Sequence, residues 1–200
     1  MMHWTQFGTF YPFFRQHAHI DTKHRDLWLF GEAAVDRMHR AIQLRYILFP
    51  YLYTLFRVAN VSGTPVMRPM WYEFPNEANA FDLEEQFRFG TAILVWPVVQ
   101  TGTDYINMYL PPGSVRYEPE VGDVVKAPPS SDKATPLNVQ VTMDGIPYFY
   151  RGAHIAPKKE HHRRSTLAMK DDSFTLVVAL DGDGCARRGA VPGQRQQLRF

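Results

Sequence analysis

Apolar residues recur at three- and four-residue steps over residues 32–59, which is the spacing of one face of an α-helix. The recurring positions are Ala34, Met38, Ala41, Ile42, Arg45, Leu48, Leu52 and Leu55. Pro50 interrupts the pattern and predicts two helices or one kinked helix, because proline lacks an N–H and clashes with the preceding turn. The glycine and proline within residues 61–65 predict the end of this helical region.

Beyond this region the pattern changes to short apolar or alternating runs, separated by clusters of glycine, proline, aspartate and serine. Such runs are typical of strands. They cover residues 92–99, 105–110, 137–143, 146–150 and 174–180. Residues 82–89 are predicted to form one short helix, and residues 126–136 a surface loop. The change from helix to strand places a domain boundary near Arg68 or Pro69.

Composition supports a packed globule for most of the chain. Hydrophobic residues make up 45% of the 200 residues and aromatic residues 14%, which is enough to build a core. There are 22 Lys and Arg against 20 Asp and Glu, with no long basic stripe, so nucleic acid is not an expected partner. Cys185 is the single cysteine and can form neither an internal disulfide nor a cysteine metal cluster.

No membrane span and no targeting signal are expected from the sequence. No apolar run approaches the length of a spanning helix, and the first ten residues show neither the basic nor the apolar region of a signal peptide. These residues are instead rich in aromatic side chains, a start that predicts a piece of a longer protein.

The densest group of polar side chains lies in the sequence FFRQHAHID, residues 13–21. Arg15, His17, His19 and Asp21 occupy every second position, so an extended strand would place all four on one face. With aromatic rings beside them, these donors and acceptors suit a polar ligand that carries hydroxyl groups. An ion-paired strand end is the alternative. A zinc site at His17 and His19 is a further alternative, although the sequence offers no third ligand nearby.

Other groups of polar residues give weaker indications of a functional site. Residues 161–164, two histidines and two arginines, are interpreted as a solvated loop or as an anion or partner contact. Asp171 and Asp172 are adjacent and would point to opposite faces of a strand, and Glu84 and Glu85 do not face each other on a helix. The sequence contains no Ser, His and Asp arrangement, no glycine-rich phosphate loop and no CxxC pair.

Five separated segments resemble, in order and spacing, the C-terminal part of glycoside hydrolase family 31. They read WTQFGTFYPFFRQHAHIDTKHRDLWLFGE, LRYILFPYLYTLF, GTPVMRPMWYEFP, FGTAILVWPVV and RGAHIAP. HAHIDT and MKDDSFTLVVALDGDG are most similar to the family's endoplasmic-reticulum enzymes that trim glucose from N-linked glycans. The resemblance covers about residues 3–187.

The resemblance implies an α/β fold followed by an all-β fold. Residues 1–68 are expected to form the last part of a (β/α)8 TIM barrel, and residues 69–187 the proximal C-terminal β-sandwich domain. Active sites of such barrels gather at the carboxyl ends of the strands, where residues 13–21 would lie if residues 11–14 form or approach a late strand. Residues 188–200 depart from the family pattern. A frame shift near Arg187 explains this departure, and a natural disordered basic tail is the alternative.

The resemblance also implies roles for individual residues. Arg15 and His17 match the arginine and histidine of the family's R-x-H motif, in which the histidine hydrogen-bonds sugar hydroxyls and the arginine lies beside it. Trp4 matches a tryptophan interpreted as packing, whereas the resemblance implies no role for His19 and Asp21. Where the subgroup usually shows Arg-Glu-Pro-Trp, this chain has Arg-Asp-Leu-Trp at residues 25–28, without the proline that shapes the loop.

The implied activity is retaining hydrolysis of an α-glucosidic bond, which uses two carboxyl groups about 5 Å apart. In the family both catalytic aspartates precede the matched region, so no catalytic residue, metal or cofactor is expected within residues 1–200. The implied substrate is a glucose-terminated oligosaccharide or N-glycan, the implied partner a non-catalytic beta subunit, and the implied location the lumen of the endoplasmic reticulum. The alternative function is a non-catalytic, β-rich carbohydrate-binding or scaffold module.

Overall fold

The computed structural model describes residues 1–127 and 136–187. Its helices are α1 (Met2–Gly8), α2 (Glu32–Ile47), α3 (Phe49–Ser62) and α4 (Met70–Glu73), with short 3₁₀ turns at Leu27–Phe30 and Ala78–Ala80. The predicted tail at residues 188–200 and most of the predicted loop at 126–136 lie outside the described residues. Within those residues, no helix has the length and apolar character needed to cross a membrane.

The division of residues 32–59 into two helices is confirmed. Helix α2 ends at Ile47, and α3 begins at Phe49 with Pro50 in its first turn, where proline removes no intrahelical hydrogen bond. Gly63 follows α3 in the left-handed conformation, at φ 73°, and its N–H donates to the Ala59 carbonyl at 2.8 Å. Glycine adopts this conformation without the steric cost of a Cβ atom, which explains why the helix ends there.

The rest of the described chain is built mainly from short strands. They are β1 (Met67–Pro69), β2 (Phe87–Phe89), β3 (Ile93–Val95), β4 (Tyr105–Tyr109), β5 (Val115–Tyr117), β6 (Val124–Lys126), β7 (Pro136–Gln140), β8 (Tyr148–Arg151), β9 (Ala153–Lys158), β10 (Thr175–Ala179) and β11 (Ala186–Arg187). A six-stranded antiparallel sheet has the order β1-β2-β3-β8-β5-β6. Two smaller sheets have the orders β10-β9-β11 and β4-β7. Each of the five predicted strands overlaps one of these elements.

The short helix predicted over residues 82–89 is wrong. Residues 82–86 are irregular, and Phe87–Phe89 is strand β2 in the interior of the large sheet, with neighbours on both sides. The side chain of Gln86 takes the place of a backbone strand: it donates to the Tyr109 carbonyl at 2.8 Å and accepts from the Tyr109 N–H at 3.0 Å. These pairings with distant segments override the weak local preference for helix.

Helix α3 joins the helices to the large sheet. The Tyr51 hydroxyl donates to the Phe89 carbonyl at 3.1 Å and accepts from the Ala92 N–H at 2.9 Å, so it holds both ends of the β2–β3 turn. Leu52 and Leu55 of α3 belong to the same buried hydrophobic cluster as the sheet residues. Burial of such side chains is the main stabilising contribution to the fold.

Candidate functional site

A concavity of about 920 Å³ opens beside α1 and the segment that follows it. Arg15, His17 and His19 line it, together with the aromatic side chains of Trp4 and Phe13. Polar side chains beside exposed rings form the arrangement that a hydroxyl-rich ligand requires. The structure therefore brings together three of the four polar residues singled out in residues 13–21, whereas Asp21 is not among the lining residues.

Residues 13–21 do not form the extended strand that would place Arg15, His17, His19 and Asp21 on one face. Residues 14–19 are irregular, and the side chains of Arg15, His17, His19 and Asp21 are all exposed. No described strand pairs with this segment, so its backbone N–H and C=O groups have no neighbouring strand with which to form a ladder. Residues 11–14, expected to form or approach a barrel strand, are also outside every described strand.

Arg45 of α2 holds the turn from which this segment leaves. Its side chain is buried, and its Nη1 donates to the carbonyls of Gly8, Thr9 and Tyr11 at 3.1, 2.9 and 2.7 Å. Its Nη2 donates to the Pro12 carbonyl at 3.3 Å. Backbone carbonyls at the end of a helix lack intrahelical partners; this guanidinium donates to four of them, of which that of Gly8 also accepts from the Tyr11 N–H at 3.1 Å.

Aromatic contacts fix the next residue along the chain. The Arg45 guanidinium carbon lies 5.2 Å from the centre of the Phe14 ring and 5.7 Å from that of Phe49, distances typical of cation–π contacts. The Phe14 ring also packs so closely on Gly8 that a Cβ there would lie 2.5 Å from it. Phe14 immediately precedes Arg15, so these contacts position the start of the exposed polar segment.

A side-chain hydrogen bond adds a second attachment. Gln16 Nε2 donates to Thr5 Oγ1 at 2.9 Å, which ties the segment to α1 between Arg15 and His17. Arg15 and His17 themselves make no side-chain hydrogen bond within the described residues. Both side chains are therefore available to hydrogen-bond a ligand. The backbone that carries them is anchored at Phe14 and Gln16.

The remaining histidines of the segment pair locally. His19 Nδ1 lies 3.3 Å from Asp21 Oδ2, and His24 Nδ1 lies 3.7 Å from Asp26 Oδ2. Among the described residues no three His, Cys, Asp or Glu side chains are grouped as metal ligands. The structure thus offers no geometry for the zinc alternative at His17 and His19.

Two further interpretations are tested by the structure. Trp4, interpreted as packing, is 66% exposed within this chain and lines the concavity. Its ring lies 5.9 Å from that of Phe7, the buried residue one turn further along α1. Residues 161–164 are exposed, as expected for a solvated loop, and Arg163 forms a bidentate pair with Asp172 at 3.1 and 2.9 Å.

Sequence reasoning assigned no site role to Arg45, although a signal was present. Arg45 occupies a position of the apolar stripe of α2 together with Met38 and Ala41, both buried. A charged residue on the buried face of a helix requires partners inside the protein. The partners are the carbonyls of residues 8–12, more than thirty positions away, and only folding brings them together.

Comparison with known proteins places this geometry in a family. Residues 1–55 match the model of the glycosyl hydrolases family 31 TIM-barrel domain, and residues 63–156 match the model of the glycosyl hydrolase family 31 C-terminal domain. The chain belongs to glycosyl hydrolase family 31. The family predicted from the five motifs is confirmed, and so is the fold class: the last part of a (β/α)8 barrel followed by a β-sandwich.

Among individual proteins, a probable glucan 1,3-alpha-glucosidase of Oryza sativa subsp. japonica is 42% identical over 186 residues, covering 93% of this chain and 20% of the relative. A solved structure of glucosidase II alpha subunit, alpha3-Glc2-bound, is 37% identical with a TM-score of 0.85, covering 91% of this chain and 19% of that one. An ER glucosidase II heterodimeric complex, of catalytic subunit and the binding domain of regulatory subunit, matches with 36% identity and a TM-score of 0.84 over the same shares. The chain thus spans about a fifth of the length of the proteins it matches.

Proposed function

We propose that this chain forms the C-terminal part of the catalytic unit of a retaining α-glucosidase and that Arg15 and His17 bind the glucose unit whose bond is cleaved. The observation that carries the proposal is the anchored exposure of these two residues: Gln16 between them and Phe14 before them are held, while their own side chains remain available at the concavity. Family membership supplies the reaction type.

The two catalytic carboxylates belong to other parts of the enzyme in this proposal. Retaining hydrolysis needs a nucleophile and an acid/base about 5–5.5 Å apart. Within the described part of the chain, Asp26 is the one carboxylate that lines the concavity. A single carboxylate cannot serve both roles, and we therefore assign no catalytic residue to residues 1–127 and 136–187.

The substrate class follows from the neighbours. One similar protein is named as a glucan 1,3-alpha-glucosidase, and a similar structure holds an alpha3-linked glucose disaccharide. We infer that the complete enzyme removes α-1,3-linked glucose from N-glycans in the endoplasmic reticulum, with a non-catalytic beta subunit as partner. The heterodimeric structure of a similar catalytic subunit with a regulatory subunit supports that partner.

A chimaeric enzyme tests the proposal. Residues 1–187 replace the corresponding segment of a glucosidase II catalytic subunit, and release of glucose from an α-1,3-linked glucose disaccharide is measured. We expect activity in the chimaera and a fall of about 10- to 100-fold in kcat/KM for His17→Ala, the loss of one or two hydrogen bonds to sugar hydroxyls. His161→Ala, a change at an exposed histidine outside the concavity, serves as the matched control.

Three results would contradict the proposal. A folded chimaera without activity would remove the assignment to this reaction. Equal activity in His17→Ala and the control would remove His17 from the sugar site. Finally, release of glucose by the 200-residue chain alone would show that the catalytic carboxylates lie within it, against the expectation that it releases none. If it binds glucose-terminated oligosaccharide without hydrolysis and the chimaera is inactive, the chain is a carbohydrate-binding module instead.

A further inference from the structure

Four arginines lie on one face of the six-stranded sheet. Arg68 of β1 is directly opposite Arg88 of β2, and Arg116 of β5 is directly opposite Arg151 of β8. Directly opposite residues of an antiparallel pair share a face, and the register through β3 and β8 puts both pairs on the same face. This set of residues is called the arginine face below.

The arginine face is short of negative charge. Glu73 of α4 is paired with two of the four, through Arg68 Nη1 to Oε1 and through Arg151 Nη1 to Oε2 at 3.3 Å. Arg88 and Arg116 pair with no carboxylate among the described residues. Their hydrogen bonds go to main-chain carbonyls, that of Thr91 for Arg88 and that of Val115 for Arg116.

The side chains of Arg88 and Arg116 are both buried, and each has N–H donors without a partner. Arg88 is 0% exposed and Arg116 is 1% exposed. Nε and Nη1 of Arg88, and Nε and Nη2 of Arg116, have no hydrogen-bond partner. Burial, with the neighbouring Arg151, lowers the pKa of Arg88 to about 9, which leaves its guanidinium charged at neutral pH. Buried charges of one sign without partners destabilise a folded protein, so this face favours an added negative group.

A small concavity borders the arginine face. Its volume is about 270 Å³, and Arg116 and Arg151 line it. Ser114 also lines it, and the Ser114 hydroxyl is a further buried polar atom without a hydrogen-bond partner. The volume lies below the range of pockets for drug-sized ligands, about 300–1,000 Å³. It suits a ligand of a few heavy atoms.

The acidic side chains at the same concavity are engaged elsewhere. Asp181 Oδ1 accepts from the N–H groups of Asp183 and Cys185 at 3.0 and 2.8 Å. Glu77 Oε2 accepts from the Tyr109 hydroxyl at 3.3 Å. Neither carboxylate hydrogen-bonds a guanidinium of the arginine face, so among the described residues Glu73 is the one carboxylate paired with its four arginines.

We propose that this concavity binds a small oxyanion of the phosphate or sulfate type, with Arg116, Arg151 and the Ser114 hydroxyl as its donors. A guanidinium presents its N–H groups as a planar fork that matches two oxygens of such an anion. The hydroxyl supplies a third donor from another direction. Arg88 contributes to the positive potential behind them. The site is separate from the sugar site and does not depend on the proposed function.

Thermal unfolding of the 200-residue chain tests this site, with phosphate exchanged for chloride at constant ionic strength. We expect a saturable rise of roughly 5–10 °C in Tm at a phosphate concentration of about 100 times Kd. Arg116→Met should start at an equal or higher Tm in chloride and show no saturable rise, because it removes a buried charge together with the principal donor. Ser114→Ala should weaken the apparent affinity about 2- to 10-fold. Arg57→Met, at an exposed position of α3, is the matched control and should behave as the parent chain.

Two outcomes of the melts overturn the proposal. A linear rise of equal slope in all variants is a general salt effect, and a saturable rise retained in Arg116→Met places the anion elsewhere. If the chain shows no cooperative melt in chloride, phosphorus NMR of inorganic phosphate replaces the melt. Broadening by the parent chain and the control but not by Arg116→Met supports the site, and equal broadening, or none, refutes it.

Discussion

Arg45 and Tyr11 are joined by the shortest of the four hydrogen bonds that Arg45 makes to the main chain, 2.7 Å from Nη1 to the Tyr11 carbonyl. The bond connects the buried face of α2 to the turn that precedes the exposed polar segment. Burial lowers the pKa of Arg45. The cation is nevertheless held in place by oxygens and aromatic rings rather than by a carboxylate. Arg45 is therefore a positioning residue for Arg15 and His17, which it does not touch.

Replacement of Arg45 tests this positioning role. Arg45→Met keeps much of the apolar stem but leaves four carbonyls without their donor, so we expect a loss of about 2–4 kcal/mol in unfolding free energy. In the chimaeric enzyme, KM for the glucose disaccharide should rise and Arg45→Lys should recover part of the loss. Chemical denaturation and steady-state kinetics measure both effects. Arg57→Met is the control, and an Arg45→Met enzyme with normal stability and KM would contradict the role.

Tyr51 supports a second prediction, for the junction between α3 and the sheet. Tyr51→Phe removes the hydroxyl that serves both the Phe89 carbonyl and the Ala92 N–H, and these groups would remain buried without partners. We expect a loss of about 1–3 kcal/mol in unfolding free energy. Tyr53→Phe provides the comparison, because Tyr53 is 79% exposed and should change stability by less than about 0.5 kcal/mol. Equal stability of the two variants in urea melts would show that the junction does not depend on the hydroxyl.

The β2–β3 turn predicts a large effect at one glycine. Gly90 has φ 61°, and a Cβ there would lie 2.5 Å from the Tyr51 hydroxyl oxygen and would also overlap the Leu55 side chain. Gly90→Ala should therefore cost about 2–5 kcal/mol, from backbone strain and overpacking together. Gly102→Ala isolates the strain, since Gly102 has φ 75° and nothing within 4 Å of its would-be Cβ. It should cost about 1–2 kcal/mol. Denaturant melts that rank the two variants the other way would exclude the packing contribution.

His154 predicts how stability depends on pH. Burial, opposed by the hydrogen bond to the Gly152 carbonyl and helped by Arg151, lowers the pKa of His154 to about 4 in the folded protein. The unfolded chain keeps a pKa of about 6.5. Between these values the unfolded state binds a proton that the folded state does not, so stability falls as the pH is lowered from about 6.5 to about 4. The loss is at most about 3 kcal/mol.

The His154 contribution is separated from that of other groups by substitution. His154→Gln should lose most of this pH dependence, whereas His162→Gln, at an exposed histidine, should retain it. Urea melts at several pH values between about 4 and 7 measure the slope. Parallel slopes for the parent chain and His154→Gln would assign the acid sensitivity to another group.

Local signals in the sequence determined the helical part of the fold. The spacing from Ala34 to Leu55, the proline at position 50 and the glycine at position 63 act within one or two turns, so they predicted two helices and their end. Alternation predicted β4 and β10 for the same reason. The order of the five motifs likewise identified the family, because motif order is a property of the chain alone.

Pairing across the chain decided what local signals could not. Residues 82–89 resemble a short helix in isolation, but Phe87–Phe89 lies between β1 and β3, and that position makes it a strand. Residues 13–21 alternate like a strand, yet without a neighbouring strand their hydrogen-bonding groups stay with solvent and the segment is irregular. A strand depends on its partners, and the partners lie elsewhere in the sequence.

The two proposed sites likewise depend in part on the sequence alone and in part on the tertiary structure. The sequence by itself predicted that Arg15 and His17 form a polar pair in a family 31 motif, since both residues lie in one short segment; their role in binding sugar stays a prediction. Only the tertiary structure decided that Arg45 anchors this segment and that Arg68, Arg88, Arg116 and Arg151 share one face of a sheet. The reason is that strand register and hydrogen bonds to distant carbonyls arise from the packing of segments 20 or more residues apart, which no local pattern encodes.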